Sequence, residues 1–378
     1  MLIDKLRQYV SGNVYPMHMP GHKRKVDRLQ DGLPHDIDIT EIHGFDDLHN
    51  PSGILLETAE LAAELYGSKK AFSLVNGSTV GILSAIGAHA KKGDKILIAR
   101  NCHWSVENAA ELFDLTPIYI TPEVDEMSGV PKSVSPEEIE QILIENPDIK
   151  LVVITSPSYE GVVSDISTIS AIVHSRDMLL IIDSAHGAHL GFSSMFPKNP
   201  VKLGADIVVM SMHKTLPALT QCSLLHLCGD RASPEKTQRM LSILQTSSPS
   251  YVLMASIDSC LHMLKNSHVS LFSEYTENLE RFGAGIRKLE KLTVLCHLVN
   301  IRNHFFDFDP GKIVIITKNT AISGYKLADL IRHEHNIELE KACENYAIAM
   351  TSICDDEQGF ERLASALVQI DQNLSKIR

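Results

Sequence analysis

From about residue 70 to residue 230, short apolar runs alternate with longer segments whose apolar residues recur every three or four positions. The runs are "AFSLV" (71–75), "KILIA" (95–99), "TPIYI" (116–120), "KLVVIT" (150–155), "MLLIID" (178–183), "DIVVMS" (206–211) and "SLLHL" (223–227). Short, rich in aliphatic residues and bounded by turn formers, they predict strands. The segments between them, such as "STVGILSAIGAHAKK" and "SPEEIEQILIEN", predict helices. "SGILLETAELAAELYG" predicts another, stopped by Gly67 as a carboxy-terminal cap. Nearly continuous apolar strands separated by helices mean a sheet buried on both faces, and such sheets are mostly parallel. The expected fold is therefore α/β.

After residue 250 the texture changes. A long helical stretch (250–289) leads to a smaller α+β unit with strands "KIVIIT" and "YAIAMTS" and helices "GYKLADLIRHEH" and "FERLASALVQIDQNL". The expected division is an irregular amino-terminal segment (1–50), a large domain (51–265) and a small carboxy-terminal domain (266–378). The first segment is read as wrapping the large domain or a partner.

Composition narrows the function classes. The formal net charge of −12 argues against nonspecific nucleic-acid binding, which needs a basic surface. No apolar run approaches the ~20 residues of a membrane span, and "MLIDKLRQYVSGNV" lacks the apolar core of a signal peptide. The seven cysteines are scattered without a CxxC pair, so reduced thiols and a cytoplasmic location are expected.

The polar residues that carry chemistry follow the strands. "VNGST", "ARNCHWS", "TSPSYEG", "DSAHGAH" and "SMHK" each begin where an apolar run ends. In open parallel sheets ligands sit beyond those carboxyl ends. Lys214 is an ordinary surface residue unless its strand holds it in a partly desolvated site, where its amine loses a proton more easily and can attack a carbonyl. Asp183 can cap a turn or pair with a protonated pyridine nitrogen. An aspartate at one strand end and a lysine at a later one is the pairing pyridoxal phosphate requires. Gly77, Ser78 and Thr79 open a helix after a strand and offer N–H groups and hydroxyls to an anion, with Ser211 and His213 as further donors. His103 can stack on a flat ring. His186 and His189 form an HxxH pair, but no third ligand has a metal-site spacing, so no metal is expected.

Eight ordered stretches then fit one family: "HMPGHK" (18–23), "DITEIHGFDDLHNPSG" (38–53), "LVNGST", "ARNCHWS", "TSPSYEG", "DSAHGAH", "SMHKTLPALTQ" and "LQTSSPSY" (244–251). In these the chain resembles the bacterial ornithine/lysine/arginine decarboxylases, pyridoxal-phosphate enzymes of fold type I. The resemblance implies Lys214 as the Schiff-base lysine and Asp183 as the pyridinium partner. It implies His103 stacked on the ring, His186 beside it, and Ser78, Thr79, Ser211 and His213 around the phosphate. It further implies a homodimer with shared active sites, in which Thr246 and Ser248 reach the neighbour's phosphate. Lys214 or His213 would return the proton after CO₂ leaves.

Trp104 stands where family members often have lysine, and Ser184 where short members often have glutamate. The reading expects a short form without the family's additional carboxy-terminal domain. Glu41, Asp46 and Asp47 are candidates to meet a distal cation on an amino-acid substrate. A pyridoxal-phosphate aminotransferase, another lyase and a noncatalytic pyridoxal-phosphate binder share the same lysine, aspartate and phosphate residues and remain alternatives.

Overall fold

The computed structural model describes residues 1–12, 14–24, 32–298 and 301–376. Its central sheet contains β1 (Lys70–Leu74), β2 (Lys95–Ala99), β3 (Thr116–Ile120) and β4 (Ile149–Thr155). After a two-residue strand, β5 (Val162–Val163), the sheet continues with β6 (Leu179–Asp183), β7 (Ile207–Ser211) and β8 (Ser223–Leu227). The spatial order is β1-β8-β7-β6-β4-β2-β3. Strand β8 is antiparallel to both its neighbours, while the pairings from β7 through to β3 are parallel. Strand β1 thus points the same way as β7, and the polar ends of six strands open on one side.

Alternation explains why these strands read as apolar throughout. Leu180, Ile182, Val208 and Met210 face one core, whereas Leu179, Ile181, Ile207 and Val209 face the other. Burying each such side chain contributes about 1.5–3 kcal/mol. A polar residue therefore belongs only at the strand ends, which is where Asp183 and Ser211 stand.

The helix Tyr251–Gly285 runs unbroken through residue 265. Beyond it lie β9 (Thr293–Val294), β10 (Asp307–Phe308), β11 (Lys312–Ile316), β12 (Lys341–Ala342) and β13 (Tyr346–Met350). Four of these make an antiparallel sheet ordered β12-β13-β11-β9, and β10 pairs with β5. Pairing of β10 with β5 ties the later unit to the loop that follows β4.

The amino-terminal segment is more regular than its sequence suggests. Leu2–Ser11 is a helix whose Leu2 and Leu6 are fully buried beside Tyr251 and Met254. The Leu2 N–H donates to Asp258 on the long helix at 2.8 Å. Ten residues are too few to signal an independent helix, and docking on the long helix stabilises it. Farther along, Asp46 accepts hydrogen bonds from the N–H groups of Asp47, Ser52, Gly53 and Leu55. It thereby satisfies the start of the helix Ile54–Tyr66. Among the described residues no helix is long and apolar enough to cross a membrane.

Candidate active site

A cleft of about 770 Å³ opens at the carboxyl ends of the parallel strands. Ser78, Thr79, His103, Asp183, His186, Ser211, His213 and Lys214 all line it. Strands β1, β2, β6 and β7 deliver them, because each residue lies at or just beyond a strand's end.

One wall is built to receive an anion. The helix Gly77–His89 begins here, at Gly77 with φ +72°, a conformation glycine adopts without strain. A Cβ at Gly77 would meet nothing within 4 Å, so the space before the helix is open. The Ser78 hydroxyl lies 2.8 Å from the Ser211 hydroxyl and 3.3 Å from that of Ser223. His213 is fixed through Nδ1, 2.9 Å from the Cys222 carbonyl. Helix start, hydroxyls and imidazole converge on one volume.

The floor carries the carboxylate. Asp183 is buried and accepts one hydrogen bond, from the Ala185 N–H at 3.1 Å. Burial pushes its carboxyl up, and the Ala185 N–H and the charges of Lys214 and His103 pull back. In the adjacent register position stands Thr155, whose Oγ1 is buried without a partner. A buried, sparsely bonded carboxyl beside an orphan hydroxyl leaves room for a polar guest that can donate to both.

His103 lies at the mouth. Its Nδ1 accepts from the Ser105 N–H at 3.1 Å, which caps the helix Trp104–Leu112 and fixes the ring plane. Trp104, 76% exposed, sits next to it. Lys214 projects from the short helix after β7, half-buried, with Nζ 3.0 Å from His186 Nε2. Burial pulls its ammonium down, against the charges of Asp183 and Glu340.

Several lining residues come from elements whose chemistry the sequence did not signal. Glu160 is buried and accepts from Lys341 Nζ and the Tyr346 hydroxyl, both at 2.9 Å. Lys341 also lies over the Tyr159 ring at 4.7 Å, and the Tyr159 hydroxyl donates to Glu340. Glu160 and Tyr159 stood inside "TSPSYEG", but nothing in that stretch announced partners 181 and 186 positions away. Lys312 lies behind this lining and carried no signal beyond opening the strand "KIVIIT", yet it is 1% exposed and its Nζ is 2.9 Å from His186 Nδ1.

Other expected residues lie elsewhere. Glu41, Asp46 and Asp47 do not line the cleft of their own chain. Asp46 is engaged by four backbone N–H groups at the helix start. Thr246 and Ser248 are also outside the cleft, at its rim: the Thr246 N–H donates to Asn76 Oδ1 at 3.1 Å. The HxxH histidines diverge, since His186 faces the two lysines while His189 Nε2 lies 3.1 Å from Asp309.

A family model described as Orn/Lys/Arg decarboxylase, major domain, matches residues 1–311. The chain belongs to that family. A Bacillus subtilis protein described as uncharacterized, YaaO, is 37% identical over 99% of this chain and 78% of its own length. The arginine decarboxylase of Bacillus subtilis is 30% identical over 99% of this chain and 78% of that protein. The lysine decarboxylase of Francisella novicida superposes with a TM-score of 0.86 at 21% identity, over 98% of this chain and 60% of that one. The chain thus spans about 60% of that solved decarboxylase. The likeness shows the fold, which is fold type I as expected.

Proposed function

We propose that the chain is a pyridoxal-phosphate-dependent decarboxylase of a basic amino acid, working as a homodimer in the cytoplasm. The observation that carries this reading is the convergence of Lys214, Asp183 and an anion-binding helix start in one cleft of a family of decarboxylases. Since one fold hosts several reactions, family membership rather than shape favours decarboxylation over amino transfer. Arginine is the first substrate to test, because a relative sharing nearly the whole chain is an arginine decarboxylase.

The residues fit the cofactor. The orphan Thr155 hydroxyl and the single-bonded Asp183 carboxylate suit a protonated ring nitrogen. The open space before Gly77 and the Ser78, Thr79, Ser211 and His213 side chains suit its phosphate. His103 would stack on its ring and Lys214 would bond its aldehyde. When bound, the cofactor supplies a sink for the electrons left as the Cα–carboxylate bond breaks. Asp183 keeps the ring nitrogen charged, because its own charge is worth more in a buried site than in water. Lys214 or His213, both lining the cleft, would give Cα a proton in place of the departed CO₂.

Dimer formation rests on Thr246 and Ser248. Both sit at the rim rather than in their own chain's cleft, with their hydroxyls 3.3 Å apart and Ser248 exposed, so the pair could turn together to a neighbour's phosphate. Borohydride reduction of the cofactor-loaded protein followed by peptide mapping tests the assignment. Cofactor should be fixed on Lys214, and attachment to a different lysine would refute the assignment.

A further inference from the structure

Among the described residues two lysines and no arginine line the cleft, and the proposed reaction uses only one of the two. Lys214 is the amine that bonds the cofactor. Lys341, on β12 of the later unit, is the other. The lining histidines supply no further free cation. His103 accepts through Nδ1 and is therefore neutral, burial and its cationic neighbours keep His186 neutral, and His213 belongs to the phosphate wall.

The pair that Lys341 makes is oriented. Its Nζ is 2.9 Å from Glu160 Oε1 and stands over the Tyr159 ring at 4.7 Å. The Glu160 side chain is 7% exposed and that of Lys341 35%, so the pair keeps its anion inside and presents its cation to the cleft. Glu160 is further engaged by the Tyr346 hydroxyl at 2.9 Å and the Ser158 hydroxyl at 3.2 Å, and the Tyr159 hydroxyl donates to Glu340. Both anchors of Lys341 are thus fixed. An ammonium has three N–H donors; Glu160 takes one and the ring face draws another, which leaves one for a ligand.

We infer that Lys341 receives the α-carboxylate of the amino-acid substrate, the group that leaves as CO₂. The inference deepens the proposed function and rests on it. Tyr159 and His186 separate the two lysines: their ring centroids are 4.6 Å apart, and His186 Nε2 is 3.0 Å from Lys214 Nζ. Lys341 therefore stands on the Lys214 side of the cleft, where the substrate amine reacts with its carboxylate beside it. Asp183 and Glu160 make the nearby walls acidic, and a carboxylate taken out of water there needs a cation.

Sharing the ammonium with Glu160 also suits the reaction. A contact that is stronger in the ground state than in the transition state slows the step, and this carboxylate must depart as neutral CO₂. A cation already half-committed to Glu160 positions the group without trapping it.

The test compares arginine with agmatine, the same molecule without its carboxylate. Both are titrated by equilibrium dialysis into cofactor-loaded Lys214→Ala protein, in which no turnover is expected, with and without Lys341→Met. Losing one hydrogen bond to a charged group, partly exposed and shared with Glu160, should weaken arginine binding by on the order of tenfold. Agmatine should bind as well as before or better, because a cation that opposes it is gone. Unchanged arginine affinity, or a parallel loss for both ligands, overturns the inference. Should Lys341→Met not fold with Glu160 left unpaired, Glu160→Gln/Lys341→Met removes both charges and is read in the same way. Lysine and ornithine, each with its decarboxylated amine, are measured alongside, since the α-carboxylate is common to all three. Binding of the amines without the amino acids overturns the inference alone, whereas a protein that binds neither contradicts the proposed function as well.

Discussion

Replacing Asp183 with Asn tests the buried carboxylate without changing its shape. The amide oxygen can still accept from the Ala185 N–H, so the single hydrogen bond Asp183 makes in the chain survives. Only the charge is lost. At 2% exposure, a carboxylate facing a cationic ring nitrogen forms a pair largely removed from water. Deleting one partner of such a pair costs about 3–5 kcal/mol. At ~1.4 kcal/mol per tenfold, kcat/KM should fall by roughly two to three and a half orders of magnitude. The assay is CO₂ release at saturating cofactor, with the visible absorbance confirming that cofactor is bound and far-UV circular dichroism confirming the fold. A cofactor-loaded Asp183→Asn protein within twofold of the unmutated kcat/KM would refute the ion-pair reasoning.

Glu160→Gln should leave Lys341 unpaired. Lys341 is 35% exposed, which moderates the penalty for a broken buried pair to about 1–3 kcal/mol, read by denaturant titration. Adding Lys341→Met should recover part of that loss, and strict additivity of the two changes would count against the pairing. Burial opposes ionisation of Glu160, but Lys341 and Tyr346 outweigh it and hold its carboxyl low. Its stabilisation is therefore complete above the ordinary carboxylate value and is lost as pH falls through the lower folded value. Asp46→Ala should destabilise the fold by about 1–2 kcal/mol through loss of the helix cap, while KM for substrate stays unchanged. A raised KM with unaltered stability would restore Asp46 to substrate recognition. Replacing Thr246 and Ser248 together with Ala should weaken cofactor affinity by roughly 3 kcal/mol, measured by equilibrium dialysis, and unaltered affinity would remove them from the phosphate site.

The large domain was legible because strands buried on both faces cannot hide their pattern. Strands such as β6 and β7 leave polar residues only at their ends, so Asp183, Ser211 and Lys214 stood out. Reversal of β8 was not legible, since a buried strand reads the same in either direction. Residues that act through tertiary contact were also silent. Lys312 meets His186 across 126 positions, and only the folded chain shows that a lysine heading an apolar strand is itself buried. The structural role of the acidic loop was silent for a related reason. Three carboxylates near a motif resemble a cation site, yet Asp46 is occupied by four backbone N–H groups that periodicity does not reveal.

The central claim is that Lys214 serves a decarboxylation of basic amino acids. Its most direct test supplies purified protein and pyridoxal phosphate with carboxyl-labelled arginine, lysine and ornithine in turn, and collects the labelled CO₂. Release is expected from at least one of the three without any keto acid, and none from Lys214→Ala. The claim is contradicted by release that survives Lys214→Ala, or by turnover that requires a keto acid and liberates no CO₂.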